Sequence, residues 1–381
     1  MYDEGLLIFN VDEQEWEYDI QSINDMGSTE NVVLLLVDQI HKLPHETAHI
    51  LQIGSCIGSV FPISLICELS QLPMSEVLER VSEALNRGFV QPKFTNSSVL
   101  YSNKDESSIS KCSSNDDPKE FSFLHDRVHE GFYLSIPEDE KTALHYNIGM
   151  YLKDHSDLDS SQIFSVVHHL HLSCSLLTNS TKLEVVDLFI KAACVAKKFG
   201  SLEQTLSYSL QGKEILQSHF DSEEACWELE YDRSYELHYM ICDTRAVIKQ
   251  STTELSNDFY VVERFIKKPL HRLRFYRINA NYLSNLQNFK GVLELGLRVI
   301  EEYGYTTKEN ISLEEFREDL LRFQQSVKGK NIAEAFASLG KCSDEVLPPL
   351  LEFIVVTLIA AYFIQNVPLF CSLMLLCVSI T

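Results

Sequence analysis

The spacing of hydrophobic positions changes character along the chain. Residues 1–20 alternate: Leu6 and Ile8, then a polar DEQE stretch, then Trp16, Tyr18 and Ile20, which predicts a short β-hairpin. From Asn31 the period becomes helical in VVLLLVDQIHKL, stopped by Pro44, and ETAHILQIGSCIG predicts a second helix ending at Gly54 or Gly58. Phe61 to Leu69 and Met74 to Asn86 predict two more helices, the last closed by Arg87 and Gly88 as a glycine C-cap. Phe89 to Phe94 and Glu120 to Leu124 have strand character. They bracket residues 95–119, where eight serines in 25 residues read as a disordered insertion at a hairpin tip. Helices, a β-hairpin with a long tip and a further helix over His125 to Leu134 make the outline of a winged-helix domain. Its recognition-helix equivalent, MSEVLERVSEALNR, carries three glutamates against two arginines, which suits a protein surface better than DNA.

Beyond about residue 140 no strand pattern survives. The periodicity predicts consecutive amphipathic helices near 138–153, 161–177, 181–199, 202–218, 223–249, 258–284, 288–303, 313–327, 331–340, 347–365 and 368–380. Two junctions are alike. AKKFGSLEQTLSYSLQGKEIL and LSNLQNFKGVLELGLRVIEEYG each run from a helix through a short turn with Gly or Asn into a helix with small residues one to two turns on. That is the spacing by which tetratricopeptide (TPR) helix pairs let a small residue accept a large one, so the array reads as TPR-like although the full repeat signature is absent. The fold class is therefore mainly α: a winged-helix domain with small β-hairpins followed by a TPR-like helical-repeat domain.

The stretch from Leu347 to Ile380 is the one membrane candidate. FIVVTLIAAYFI and VPLFCSLMLLCVSI are separated by Gln365, Asn366 and Pro368, and each falls short of the roughly 20 residues a span needs, so both are expected to be buried helices. The first residues lack a basic n-region and an apolar h-region, which predicts no secretory signal; Asn-x-Ser/Thr triplets at Asn96, Asn179 and Asn310 are then chance matches. Ten cysteines without a Cys-x-x-Cys pair, most inside apolar helical patterns, read as reduced, buried thiols of a cytoplasmic protein. Thirty-two Lys and Arg against 55 Asp and Glu leave a net charge of −23, which repels phosphate backbones and anionic membrane, so neither nucleic acid nor membrane is an expected partner.

Few residues carry candidate chemistry. His45-Glu46-Thr47-Ala48-His49 is a literal H-E-x-x-H, the pattern that sets two imidazoles on one helix face for Zn²⁺ with the glutamate as base, and Glu68 could be a third ligand. Against it, His45 follows Pro44 directly and Ile50, Leu51, Ile53 and Ile57 form a core face, so a zinc peptidase is the weaker reading. His168 and His171 of VVHHLHL share a helix face but lack a third ligand at useful spacing, and read as helical surface together with His169. Gly212-Lys213 and Gly329-Lys330 lack the preceding glycine of a phosphate loop, and no G-x-S-x-G is present, so the chain alone is not expected to be an enzyme or to hold a cofactor. Phe121-Ser122-Phe123-Leu124-His125-Asp126-Arg127 remains: a strand delivers His125 and Asp126 to a helix start, where they serve either as helix-start and packed residues or as a place to meet an anion.

Several stretches in order resemble one family: MYDEGLLIF at 1–9, WEYDI at 16–20, ENVV at 30–33, Leu43-Pro44, Cys56-Ile57-Gly58 with Phe61, FLHDRVHEGFYLSIPEDEK at 123–141, HYNIG at 145–149 and AAYFIQNVPLF at 360–370. The chain resembles the region downstream of the ATPase core in STAND-class (AAA-like) nucleotide switches, closest in the large hybrid proteins that join a serine/threonine-kinase-like domain, such an ATPase, a helical-repeat region, a GAF domain and a sensor histidine kinase. The resemblance implies that residues 1–30 are a hairpin and linker from the end of the ATPase module, 31–155 a winged-helix-like domain with the insertion at about 95–119, and 156–381 a truncated TPR-like domain. Related switches carry a Met-His-Asp motif whose histidine faces bound ADP, and Leu124-His125-Asp126 matches it in type and place, which makes His125 and Asp126 the candidate nucleotide-sensing residues. ATP or ADP is implied for the parent family only, since the Walker segments would precede Met1 and a GAF or kinase domain would follow Thr381. The same context places no zinc at HETAH. The expected function is a non-catalytic regulatory segment that docks on an ATPase core and on protein partners through its repeats; the alternative is a free-standing helical adaptor with no nucleotide dependence.

Overall fold

The computed structural model describes residues 7–10, 15–18, 40, 42–93, 119–248, 252–307, 311–328 and 344–380. The chain is mainly helical and divides into two compact units, residues 1–158 with 162–177, and residues 159–161 with 178–381. The serine-rich tip, the helix expected over Asn31 to Leu43 in all but its last residues, and the helix expected over 331–340 lie outside the described residues.

In the first unit the opening hairpin is present: β1 (Leu7–Asn10) pairs antiparallel with β2 (Glu15–Tyr18), Leu7 opposite Tyr18. Then come α1 (His45–Ile57), β3 (Val60–Pro62), α2 (Ile63–Ser70), α3 (Met74–Asn86), β4 (Val90–Lys93), β5 (Glu120–Phe123), α4 (Asp126–Leu134), α5 (Glu138–His155) and α6 (Gln162–Leu172), followed by a 3₁₀ turn at Cys174–Leu176. The sheet order is β3-β5-β4, all antiparallel. Strand β3 falls where the sequence predicts the start of a helix. Three residues are too few to show alternation, and Pro62 then begins α2, so the apolar run Phe61 to Leu69 covers two elements.

The core of this unit lies between the sheet and α1 to α4. Phe61, Ile50, Leu51, Ile53, Ile66, Val77, Val81 and Phe132 are fully enclosed, and the Phe123 ring packs 5.3 Å from Phe61 and 5.8 Å from Phe132. Helix α6 crosses α5 so closely that a side chain at Gly149 would meet Leu170 at 2.8 Å.

Among its described residues the second unit is a helical array: α7 (Asn179–Lys198), α8 (Leu202–Gln217), α9 (Glu223–Leu229), α10 (Tyr231–Ile248), α11 (Thr252–Phe265), α12 (Pro269–Asn285), α13 (Phe289–Glu302), α14 (Leu313–Val327), α15 (Leu347–Phe363) and α16 (Val367–Ile380). Two expected helices are each split. Residues 223–249 break at Glu230, which has φ −126° and ψ 53°, and 258–284 break before Pro269, which opens α12 at its first position, where a missing N–H costs nothing. At the two similar junctions a glycine lies close to neighbouring helices: Gly212 of α8 lies against Phe189 of α7 and Leu237 of α10, while Gly296 of α13 lies against Thr357 of α15, a threonine where a large residue is expected. Trp227, Tyr235, Phe275, Leu293, Phe353 and Ile354 form the centre of the core.

Among the described residues no helix is long and apolar enough to cross a membrane. In α15 and α16, Phe353, Ile354, Leu369 and Leu373 are buried as expected, whereas Val355, Ile359, Tyr362, Phe363 and Val367 remain exposed. The described cysteines are free thiols, and Cys174 and Cys194 depart from the expected burial by being exposed.

Candidate functional site

The centre strand of the sheet delivers His125 to α4. Both edges of its last residues are held, because Phe123 N–H donates to the Ser59 carbonyl and Leu124 N–H to the Phe89 carbonyl, each at 3.0 Å. His125 stays extended at φ −148° and ψ 146° and acts as the N-cap of α4: its Nδ1 accepts from the Arg127 N–H at 3.1 Å. An accepting Nδ1 has no proton, so the neutral ring carries its proton on Nε2, the atom left outside the cap. Asp126 occupies the first turn, where a carboxylate suits the positive helix end, and Arg127 reaches Glu130 at 2.8 Å. His125, Asp126 and Arg127 are exposed, as is Leu124 at 54%. One turn on, His129 Nε2 donates to the Ser55 carbonyl of α1 at 2.9 Å while its ring lies 5.2 Å from Phe123, and this fixes the direction in which α4 leaves the sheet.

The H-E-x-x-H residues are put to structural use. Glu46 pairs with Arg80 of α3 at 3.2 Å, the Thr47 hydroxyl donates to Glu83 at 2.9 Å, and the rest of α1 supplies the core. Among the described residues no three His, Cys, Asp or Glu side chains are grouped so as to hold a metal ion, so His45, His49 and Glu68 are not brought together as ligands.

The chain is distantly similar to a hybrid histidine kinase. It is 19% identical over 382 residues to Hybrid signal transduction histidine kinase G of Dictyostelium discoideum, an alignment that covers 87% of this chain and 11% of that protein. The chain thus spans about one-tenth of the length of that relative. No family model matches the chain, and no solved structure matches it.

A second polar cluster of the first unit escaped the sequence reading. The Tyr133 hydroxyl of α4 is 3.0 Å from His145 Nε2 on α5, and His145 Nδ1 is 2.9 Å from His169 Nδ1 on α6. Both rings are buried, at 3% and 2% exposure. Burial above all, with the neighbouring histidines and, for His145, the Lys141 ammonium, pushes the His145 pKa down to about 4 and that of His169 to about 3. Neutral rings complete the chain of bonds in either direction; two charged rings would turn N–H against N–H. Lys141 lies 4.8 Å over the Tyr133 ring and donates to Glu138 at 2.6 Å. Of the three histidines expected on a helix surface, His168 is exposed and His171 half-buried, but His169 is enclosed. A signal existed: His169 continues the buried series Ile163, Val166, Val167 and Leu170 at helical spacing, and its polarity disguised it.

Proposed function

We propose that the chain is a non-catalytic regulatory segment of a STAND-type signalling ATPase linked to histidine kinase and serine/threonine kinase output, acting in the cytoplasm. The observation that carries this reading is the alignment of 87% of the chain with a hybrid signal transduction histidine kinase. The first unit is read as a winged helix: the order α1, β3, α2, α3, β4, β5 with sheet order β3-β5-β4 supports it. The second unit is read as a TPR-like array, supported by its succession of helices joined by short connections and the close contacts at Gly212 and Gly296. The mechanism is a hinge. His125, with Nδ1 engaged in the cap, presents Nε2–H as a donor to the phosphates of ADP held by an ATPase core, Asp126 holds the helix start, and the repeat unit reports undocking to protein partners.

Two measurements test this. An antibody raised to residues 181–249 should detect a polypeptide far larger than 43.7 kDa. In that polypeptide His125→Asn, which keeps a capping acceptor and removes the imidazole, should shift the signalling output. A single band near 43.7 kDa, or a silent His125→Asn, overturns the reading and favours the adaptor.

A further inference from the structure

Three polar contacts cross the elbow between α9 and α10 as successive rungs. Nearest the bend, Arg233 donates to Glu230; next, the Ser234 hydroxyl donates to the Cys226 carbonyl at 3.0 Å; furthest out, His238 Nε2 lies 3.2 Å from Glu223 Oε1. The outermost rung differs from the other two in kind. His238 is 3% exposed, and its Nδ1 lies 2.7 Å from the Ser234 carbonyl. A carbonyl oxygen only accepts, so Nδ1 must hold a proton, and that is the single proton of a neutral ring. A carboxylate also only accepts, so the bond to Glu223 forms only when the ring carries a second proton.

Glu223 is the ionised partner. Its hydrogen bond with His238 holds its pKa below the ordinary glutamate value despite partial burial, and Lys213 of α8 acts in the same direction. Lys213 Nζ stands 3.6 Å from the same Oε1 that faces His238. One carboxylate oxygen therefore has two cations within reach on two different helices, and one of the two is cationic only while protonated.

We propose that Glu223 is the moving arm of a proton-operated latch: with His238 charged it ties α9 to α10, and with His238 neutral it is released toward Lys213 of α8. A neutral ring would set a lone pair against the carboxylate at 3.2 Å. The Glu223 side chain, 32% exposed, has room to turn away. Other charged groups that reach α10 are already closed into pairs: Asp187 of α7 with Arg233, Asp258 of α11 with Arg245, and Arg274 of α12 with Glu236, while His271 of α12 is stacked on Tyr235. On α9 itself Glu224 is paired with Arg264, Glu228 is exposed, and the Cys226 thiol, which burial raises, stays neutral.

A reporter is built in, because the Trp227 ring lies 5.0 Å from the His238 ring and an imidazolium beside an indole quenches its emission. The sequence has two tryptophans, so the experiment uses the full chain with Trp16→Phe. Ring ¹⁵N NMR and Trp227 fluorescence are followed against pH. The expected result is both His238 nitrogens protonated on the acid side, with one emission step at the pH where Nε2 loses its proton. Glu223→Gln, whose amide can donate to a neutral ring, should keep the fold and move the step to lower pH. Lys213→Gln, which removes the competing cation, should move it to higher pH. An unprotonated Nε2 throughout the folded range, or a step that Glu223→Gln leaves in place, overturns the latch.

Discussion

At the scale of single residues, the histidines of the first unit have opposite fates. His125 is exposed and holds α4 through one bond to Arg127 N–H, so His125→Ala should cost about 1 kcal/mol, the usual loss of an N-cap, whereas His125→Asn should cost little because asparagine is itself a good cap. Urea unfolding of the two variants separates the capping role from any recognition role, and equal losses would contradict the geometry. His145 and His169 are enclosed and neutral. Their folded pKa values, about 4 and about 3, lie below the ordinary 6.5, so between these limits the unfolded chain binds more protons than the folded one. Their contribution is complete above about pH 6.5 and is lost as pH falls toward 4, at up to about 1.4 kcal/mol per pH unit for each proton taken up. The double variant His145→Gln, His169→Gln can still bridge Tyr133 to α6 through amides and should flatten that slope in acid unfolding followed by circular dichroism.

At the scale of elements, five helices end in the same turn. Gly88, Gly200, Gln287, Gly304 and Gln365 have φ of 73°, 76°, 59°, 89° and 61°, and the N–H that follows each donates back five residues, as Ser201 to Ala196 and Asn288 to Leu283. A side chain in this left-handed region costs about 1–2 kcal/mol, partly offset by the lower chain entropy of a non-glycine residue when unfolded. Gln287→Gly should therefore stabilise the second unit by up to about 1 kcal/mol and Gly200→Ala should destabilise it by about as much; the opposite signs in thermal melts are the check. Helix existence was legible almost throughout from periodicity, and the ends at Leu134 and Val327 were placed as closely as the glycine-marked end at Asn86. What was hidden has physical causes. Strand β3 is three residues long inside an apolar run, Glu230 breaks a helix without Gly or Pro, and the Tyr133–His145–His169 chain joins polar residues that a pattern of apolar positions does not register. His125 was legible as a helix-start residue, but its role as the cap itself depends on a backbone torsion that no spacing encodes.

At the scale of the molecule, charge is distributed unevenly. The segment from Arg264 to Arg277 carries six of the 32 Lys and Arg and no acid, within a chain of net charge −23. It does not form a free basic patch, because neighbouring helices supply acids to it: Glu224 meets Arg264, Asp232 meets Lys268, Glu302 meets Arg272, Glu236 meets Arg274 and Glu352 meets Arg277. Helix α12 with its N-cap Lys268 is thus an electrostatic hub of the second unit, reached from α10, α13 and α15. Exposed pairs of this kind contribute about 0–1 kcal/mol each, and added salt weakens them. The excess of acids acts in the opposite sense, since it repels itself over distances beyond the Debye length of roughly 10 Å at 0.1 M, where screening is most effective. Contact pairs are screened less than distant repulsions, so the repulsive term should dominate the response to salt. The melting temperature should rise by a few degrees between about 10 and about 150 mM monovalent salt, equivalent to roughly 1 kcal/mol for units of this size. Arg272→Gln with Arg277→Gln removes two hub pairs and carries the charge to −23 − 2 = −25. That variant should melt lower than the parent at both salt concentrations and gain more from added salt. A melting temperature that falls with salt in the parent would instead mean that the pairs around α12 outweigh the net charge.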